Sequence, residues 1–176
     1  MSIRIIKYRE MESPIGTLVL ADAGRGLCHI EFGRFTEETA SRLQRWSDRW
    51  YGESVWAADP AVLEEEANQL QAYFRGERTG FDLQLDMQGT PFQLKVWQAL
   101  RDIPYGSVCS YKDIGRMIDS VKAVRAIGGA NNRNPVPIIV PCHRVIGADG
   151  TMVGYGGGLH IKTYLLRHEG AALKSN

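Results

Sequence analysis

The residues best equipped for chemistry in this 176-residue chain lie between positions 134 and 169. Asn134-Pro135-Val136-Pro137-Ile138-Ile139-Val140-Pro141-Cys142-His143-Arg144-Val145 sets a thiol beside an imidazole and a guanidinium. The thiolate is the nucleophilic form of cysteine, and neighbouring His or Arg side chains generate or stabilise it. Three prolines punctuate the β-branched residues ahead of the thiol. Proline cannot occupy a central ladder, so the pattern predicts a short, rigid, buried segment with fixed ends. Such stiffness is what a positioned nucleophile needs. The competing reading is an inert, buried structural thiol. On an extended chain adjacent residues face opposite ways, so His143 would reach Cys142 only through a turn or a bridging water. The imidazole also needs a carboxylate to orient it. Glu169, at the end of the apolar helix expected over 159–168, is the candidate. Between them runs Val153-Gly154-Tyr155-Gly156-Gly157-Gly158-Leu159. No Lys-Ser or Lys-Thr follows, as a phosphate-binding loop would require. The loop reads instead as a wrapping for a planar aromatic substrate, with Tyr155 on one wall.

The elements that must position these residues fall into two halves. Residues 3–9, 17–21 and 27–32 read as short strands, with Asp22-Ala23-Gly24-Arg25-Gly26 as a hairpin turn. Residues 36–50 have helical character, with Ala40, Leu43 and Trp46 or Trp50 on one side. A second helix is marked by Asp59 as cap, Pro60 at its first position and Gly76 at its end. Leu63, Ala67, Leu70 and Phe74 form its apolar stripe. Phe81, Leu83 and Leu85 alternate as a half-buried strand would. Cys28-His29, adjacent on a strand, reads as core rather than as a zinc site. Residues 86–89 form the expected linker, giving domains 1–86 and 90–176.

In the second half, Thr90-Pro91 opens a helix with Phe92, Val96, Leu100 and Ile103 as its stripe. Ser110-Tyr111-Lys112-Asp113 is a capping-box pattern opening a short helix to about Ile118. Asp119-Ser120 makes a turn, and residues 121–132 form a third helix, so the pair reads as a helix-turn-helix. Ala123, Ala126, Gly128, Gly129 and Ala130 leave that third helix nearly bare, with Arg125 projecting from it. Each glycine costs about 1 kcal/mol in a helix relative to alanine. Close packing against a neighbour, or close approach to nucleic acid, would account for them.

Composition narrows the classes. Hydrophobic residues are 44% and charged residues 23%, ordinary for a globular chain. No run approaches the roughly 20 apolar residues that span a bilayer. Arg4, Lys7, Arg9 and Glu10 interrupt the N-terminal apolar residues, unlike a signal peptide. Three dispersed cysteines without a CxxC pair suit a reducing cytoplasm and give neither a disulfide framework nor a cysteine-rich zinc site. The formal net charge of +1 hides an asymmetry: residues 1–89 carry 10 Lys+Arg against 15 Asp+Glu, and residues 90–176 carry 11 against 5. A polyanionic partner for the second half fits this asymmetry. Chance asymmetry fits it equally.

PCHRV, preceded by the helix-turn-helix and NPVP and followed by GYGGGL, closely resembles the O6-alkylguanine-DNA alkyltransferases, the methylated-DNA–protein-cysteine methyltransferases. The specific match runs from about Thr90 to Gly170, and the first half agrees in layout. The resemblance implies an α+β fold: a small N-terminal α/β domain with a short antiparallel sheet, then a mainly helical domain with the helix-turn-helix. It implies irreversible, once-per-molecule transfer of an alkyl group from O6 of guanine in double-stranded DNA, or from O4-alkylthymine, to Cys142. His143 would deprotonate the thiol through water, oriented by Glu169. Asn134 would hold the segment bearing the thiol, and Tyr111 would assist departure of guanine. Arg125 would fill the space left by the flipped nucleotide, with Ala126, Gly128, Lys112 and Ser120 at the DNA. Tyr155, Gly156, Gly157 and Val145 would line the base pocket. The bare helix would enter the minor groove, which is only roughly 6 Å wide. O6 lies inside the base stack, so chemistry there requires base flipping. No cofactor, no metal and no membrane are implied, and the protein is expected to be a cytoplasmic monomer.

The resemblance is not complete. Val121 stands where many relatives have Pro, Ser120 where Asn is common, and Gly156 where Ser or Ala is frequent. A non-catalytic damage sensor would carry Trp in place of Cys142, and an adaptive-response activator would carry an extra N-terminal domain. A DNA-binding regulator without chemistry and a cysteine hydrolase or redox enzyme are the alternatives. Alkyl transfer by this route calls for a sulfur ionised at neutral pH and aimed at an everted purine.

Overall fold

A computed structural model describes residues 2–173, with a boundary between two compact units at Gln88 and Gly89. In the first unit, β1 (Arg4–Met11), β2 (Leu18–Asp22), β3 (Leu27–Phe32) and β4 (Ser54–Ala58) form one sheet in the order β3-β2-β1-β4. The β2–β3 turn follows from its residues: the Asp22 carboxylate accepts the Gly24 and Gly26 N–H groups at 2.6 and 3.2 Å. Leu18, Val19, Leu20 and Ala21 are fully buried, as expected of an inner strand covered on both faces.

Strand β4 has no counterpart among the sequence expectations. It pairs parallel to β1, so the sheet is mixed, with antiparallel pairing confined to β1–β2 and β2–β3. Helix α1 (Glu37–Tyr51) precedes it, capped by the Thr36 side chain on the Thr39 N–H. It is fastened to β4 by a Ser47–Ser54 hydroxyl contact of 2.6 Å and by Gln44 Nε2 donating to the Ser54 carbonyl at 2.7 Å.

Helix α2 (Glu64–Phe74) begins later than Asp59-Pro60 suggests. Asp59 instead closes a local turn, accepting the Ala61 N–H at 3.0 Å, and Leu63 then adopts φ 58° before the helix starts. Residues 81–85 alternate between half-buried and exposed, but only Leu85 bridges to Leu27, so no strand forms there.

The second unit is mainly helical. Helix α3 (Pro91–Arg101) opens with a reciprocal Thr90–Gln93 capping box, and α4 (Tyr111–Met117) with a Ser110–Asp113 box. Helix α5 (Val124–Asn132) starts three residues after Val121. Between α4 and α5 the chain passes through Asp119 at φ 57°, and the Ser120 N–H returns to the Gly115 carbonyl at 2.7 Å. A Cβ on Gly115 would stand 3.1 Å from the Ser120 carbonyl oxygen and 3.2 Å from Val121 Cα, so the closeness of this turn depends on glycine. Ile114 and Ile127 are fully buried, and Trp97 Nε1 donates to the Ala130 carbonyl at 2.8 Å. One face of α5 is thereby fixed to α3 and α4. Strands β5 (Cys109–Ser110) and β6 (Val145–Ile146) form a two-residue parallel pair, and α6 (Leu159–His168) closes the unit. Among the described residues no helix is long and apolar enough to cross a membrane.

Candidate active site and nucleic-acid interface

The proline-punctuated segment is buried from Pro135 through Val145. It is not extended. The Val140 N–H bonds back to the Val136 carbonyl at 3.0 Å. Pro141, at φ −82° and ψ 65°, then forms an inverse γ-turn, with the Cys142 N–H on the Val140 carbonyl at 2.8 Å. Proline suits this position because its ring already holds φ near the needed value. Cys142–Arg144 continues as a single 3-10 turn. This turn removes the difficulty of opposed neighbours on an extended chain. Asn134 braces the segment from both sides, donating from Nδ2 to the Val140 carbonyl at 2.7 Å and accepting the Val136 N–H at 3.0 Å. Ile138 sits at φ 74° with its side chain almost fully buried. A β-branched residue in that region carries about 1–3 kcal/mol of strain, which persists only where surrounding contacts enforce it.

His143 is fully buried, and its Nε2 lies 2.9 Å from Glu169 Oε2. Arg144 holds the same carboxylate in a fork, Nε to Oε1 at 2.8 Å and Nη2 to Oε2 at 3.0 Å, while its Nη1 donates to the Ile103 carbonyl at 2.7 Å. The Tyr105 ring lies 5.8 Å from the guanidinium carbon. A carboxylate paired to arginine is ionised and can only accept, so the proton of neutral His143 sits on Nε2. Nδ1 is then the basic atom. It is buried without a hydrogen-bond partner among the described residues, a position suited to a bridging water.

Burial is the main cause holding the His143 pKa below its usual 6.5; Glu169 opposes the shift, while Arg144 and Lys162 reinforce it. His143 is therefore a neutral base at pH 7. Burial likewise pushes the Cys142 thiol above its ordinary 9.0, against hydrogen bonding from Asn134 and Tyr155 and the field of Lys162. This corrects the expectation of a sulfur already ionised at neutral pH: the resting residue is a thiol, and its proton must be taken during reaction. The guanidinium of Arg144 is also placed differently from the expected thiolate contact, because it is spent on Glu169 and Ile103. Tyr111, its hydroxyl next to Asn131, is pushed up by burial and by Cys142, so it remains a phenol able to donate.

The sign of the His143 shift sets a pH dependence. Its folded pKa is depressed, so the unfolded chain binds the extra proton below pH 6.5. The stability contributed by neutral His143 is present above 6.5 and is lost as pH falls toward the folded value. Transfer to Cys142 should hold its plateau through pH 6.5 and decline only at more acid pH. Single-turnover rates across pH 4.5–8 test this, and a midpoint at or above 6.5 would contradict it.

The glycine loop closes with the Gly158 N–H on the Tyr155 carbonyl at 2.9 Å. Gly156 is exposed, Gly157 is half-buried, and a Cβ on Gly156 would come within 3.8 Å of the Asn132 carbonyl oxygen. Val145 is fully buried in β6. On the helix-turn-helix, Lys112, Arg125, Ala126 and Gly129 are exposed, while Ser120 and Gly128 are half-buried. A Cβ on Gly129 would meet nothing within 4 Å, and one on Gly128 only the Tyr111 ring at 3.9 Å. The bare face of α5 is thus open rather than packed against this chain.

Two residues of the site escaped the sequence reading. Asn131 is buried, with Nδ2 3.4 Å from the Cys142 carbonyl oxygen. Lys162 is fully buried, donating to the Val145 carbonyl at 2.6 Å and the Val153 carbonyl at 3.1 Å. Its position three and four residues before Leu165 and Leu166 puts it on the inward face of α6, a signal present in the sequence. Among the described residues, no group of three or more His, Cys, Asp or Glu is placed to hold a metal ion.

Known proteins match this chain along both units. Residues 91–171 match 6-O-methylguanine DNA methyltransferase, DNA binding domain, and residues 6–87 match 6-O-methylguanine DNA methyltransferase, ribonuclease-like domain. A methylated-DNA–protein-cysteine methyltransferase of Mycobacterium tuberculosis is 46% identical over 165 residues, covering 94% of this chain and 93% of its own length. One from Methanosarcina barkeri is 45% identical over 162 residues, covering 92% and 96%. A crystal structure of Mycobacterium tuberculosis OGT in complex with DNA superimposes with a TM-score of 0.79 at 44% identity, covering 93% of this chain and 92% of that one. On matches to both family domains and on identity of this extent, the chain belongs to the 6-O-methylguanine DNA methyltransferase family.

Proposed function

We propose that this protein repairs double-stranded DNA by moving an alkyl group from O6 of guanine onto its own Cys142, once per molecule. The observation that carries the assignment is the thiol at the head of a tight buried turn, followed directly by an imidazole whose Nε2 lies against an arginine-paired carboxylate. His143 Nδ1 takes the thiol proton through a water. The sulfur attacks the alkyl carbon, a carbon–sulfur bond forms, and the carbon–O6 bond breaks with its electron pair leaving on guanine. The departing guanine takes up a proton, with Tyr111 as donor at the base, so one thiol and one O6-alkylguanine become one thioether and one guanine. O4-alkylthymine presents the same leaving-group chemistry and is a second substrate.

The exposure of these residues supports the following assignment of the groups that bind DNA. The open face of α5, with Ala126 and Gly128, enters the minor groove, where small residues fit. Lys112 and Ser120 meet the phosphates, which bind without sequence preference. Arg125 occupies the stack vacated by the flipped nucleotide, and Tyr155, Gly156, Gly157 and Val145 line the pocket that receives it. Residues 90–176 carry the chemistry, and residues 1–86 support it. The protein works as a monomer in the cytoplasm, with no cofactor.

A thioether is not undone by thiol exchange, which acts on disulfides. Incubation with an O6-methylguanine duplex should therefore place one methyl group on the peptide containing Cys142, in an amount equal to the guanine restored. Mass analysis of the digested protein checks this. Repair exceeding one lesion per molecule, or a methyl group on another residue, would overturn the assignment.

A further inference from the structure

Helix α5, which carries Arg125 and the open small-residue face, has little of its own to hold it in place. Its N-cap, Ala123, supplies no side-chain hydrogen bond, its first turn has no acidic residue and its last turn no basic one. Gly128 and Gly129 lie within its nine residues. A helix so short and so poor in caps is marginal in water unless tertiary contacts support it. The support comes from one side. Ile127, Ala130 and Asn131 are buried, and the buried Trp97 indole donates from Nε1 to the Ala130 carbonyl at 2.8 Å. The Arg133 N–H returns to the same carbonyl at 3.1 Å, so the indole bond lands on the turn that ends the helix. The indole is fixed in its turn from the opposite edge. Gly89, the first residue of the second unit, lies against its outer ring, and a Cβ there would stand 2.4 and 2.5 Å from Cζ3 and Cη2. The ring is rigid and enclosed, so it could not yield to such a Cβ as a flexible chain end would. The Thr90 N–H, held by Gln93 Oε1 at 3.0 Å, fixes the backbone that follows.

We propose that Trp97 is a positioning residue for DNA recognition: seated on Gly89, its indole sets where α5 stands, and so where Arg125, Ala126 and Gly128 meet the duplex. This rests on the alkyl-transfer reading of the site. The nucleophile does not depend on the same contact. Its segment is braced by the two Asn134 bonds of 2.7 and 3.0 Å. Helix α5 reaches it through Asn131 Nδ2 at 3.4 Å from the Cys142 carbonyl oxygen, long for a hydrogen bond. Loss of the indole bond therefore shifts the groove-facing helix and leaves the pocket able to react.

Two substrates separate these roles: an O6-methylguanine duplex, which needs α5 in the groove, and the free base O6-benzylguanine, which needs only the pocket and Cys142. Trp97→Phe keeps an aromatic ring and removes the N–H. At subsaturating DNA its single-turnover repair of the duplex should fall about five- to tenfold, the worth of one buried hydrogen bond, and affinity for undamaged duplex should fall with it. Its rate on the free base should stay within about twofold. Gly89→Ala should give the same pattern, because it displaces a ring whose N–H is intact. Phenylalanine lacks the outer carbons that the new methyl group would meet, so in the W97F background G89A should cost less than about twofold more. A merely structural tryptophan would slow both reactions alike, or lower the melting temperature and leave both rates unchanged. Either result overturns the proposal, as do additive effects of W97F and G89A. For variants that fail to fold, hydrogen exchange in the unsubstituted protein supplies the test. The Trp97 Nε1–H and the amides of residues 127–131 should exchange at one common rate, as a single opening unit, and an indole that exchanges independently of α5 overturns the proposal. If the unsubstituted protein acts on neither substrate, the functional assignment has failed, whereas affinity for undamaged duplex and the exchange rates still decide the role of Trp97.

Discussion

Cys142→Ala should abolish repair completely while leaving a folded protein that still binds O6-methylguanine duplex. The sulfur is the sole acceptor in the proposed reaction, and the buried groups around it offer no substitute. His143 and Arg144 are held by Glu169, and the Tyr111 hydroxyl is kept as a phenol. Exchanging one buried sulfur atom for hydrogen should cost the fold only about 1–2 kcal/mol. Duplex affinity should stay within about twofold, because phosphate contacts and groove fit supply it. The variant thus becomes a reversible lesion binder. Restored guanine is counted by base analysis of the duplex, and binding by titration of labelled DNA. Persistence of any lesion removal would reject the acceptor role.

Glu169→Gln should damage both stability and rate, and the two losses have separate causes. The carboxylate is fully buried at its side chain and neutralises Arg144, which is itself buried. Removing one member of a buried pair strands the other, a loss of about 3–5 kcal/mol. For a unit of this size that corresponds to a fall in melting temperature of roughly 10 °C or more. The rate should fall further, by about 10²- to 10⁴-fold, the usual worth of a positioned base. Glutamine can offer an N–H to His143 Nε2, which would leave the basic lone pair on the nitrogen facing away from the thiol. Thermal melts and single-turnover transfer at a temperature well below the melt separate the two effects. A rate within tenfold of the unsubstituted protein under those conditions would remove Glu169 from the proton path.

The sequence and the structure part company at identifiable places. Cys142, His143 and Arg144 are readable because they are consecutive, whereas Glu169, one residue past the final helix, reads by itself as a solvated carboxylate and gains its role only from the family resemblance. Their mutual arrangement was not readable. Pro141 could not be known to form an inverse γ-turn, and the fork from Arg144 to Glu169 redirects a guanidinium that adjacency alone assigns to the thiol. Strand β4 was missed because its partner β1 lies some fifty residues earlier and Val55 faces outward, so no alternation marks it. Asp59-Pro60 misplaced the start of α2 because a helix cap and an Asx turn use the same residues, and the left-handed Leu63 decides between them. Lys162 is not marked by its residue type, since lysine usually faces solvent, although helical spacing sets it beside Leu165 and Leu166.

The enclosure of the Cys142 thiol has a bearing on how long such a molecule keeps. Peroxides and stray electrophiles consume thiolates that stand open to solvent. A sulfur that stays protonated until an imidazole relieves it presents them with a poor target, so a stockpile of a single-use reagent is spent on them more slowly than an open thiolate would be.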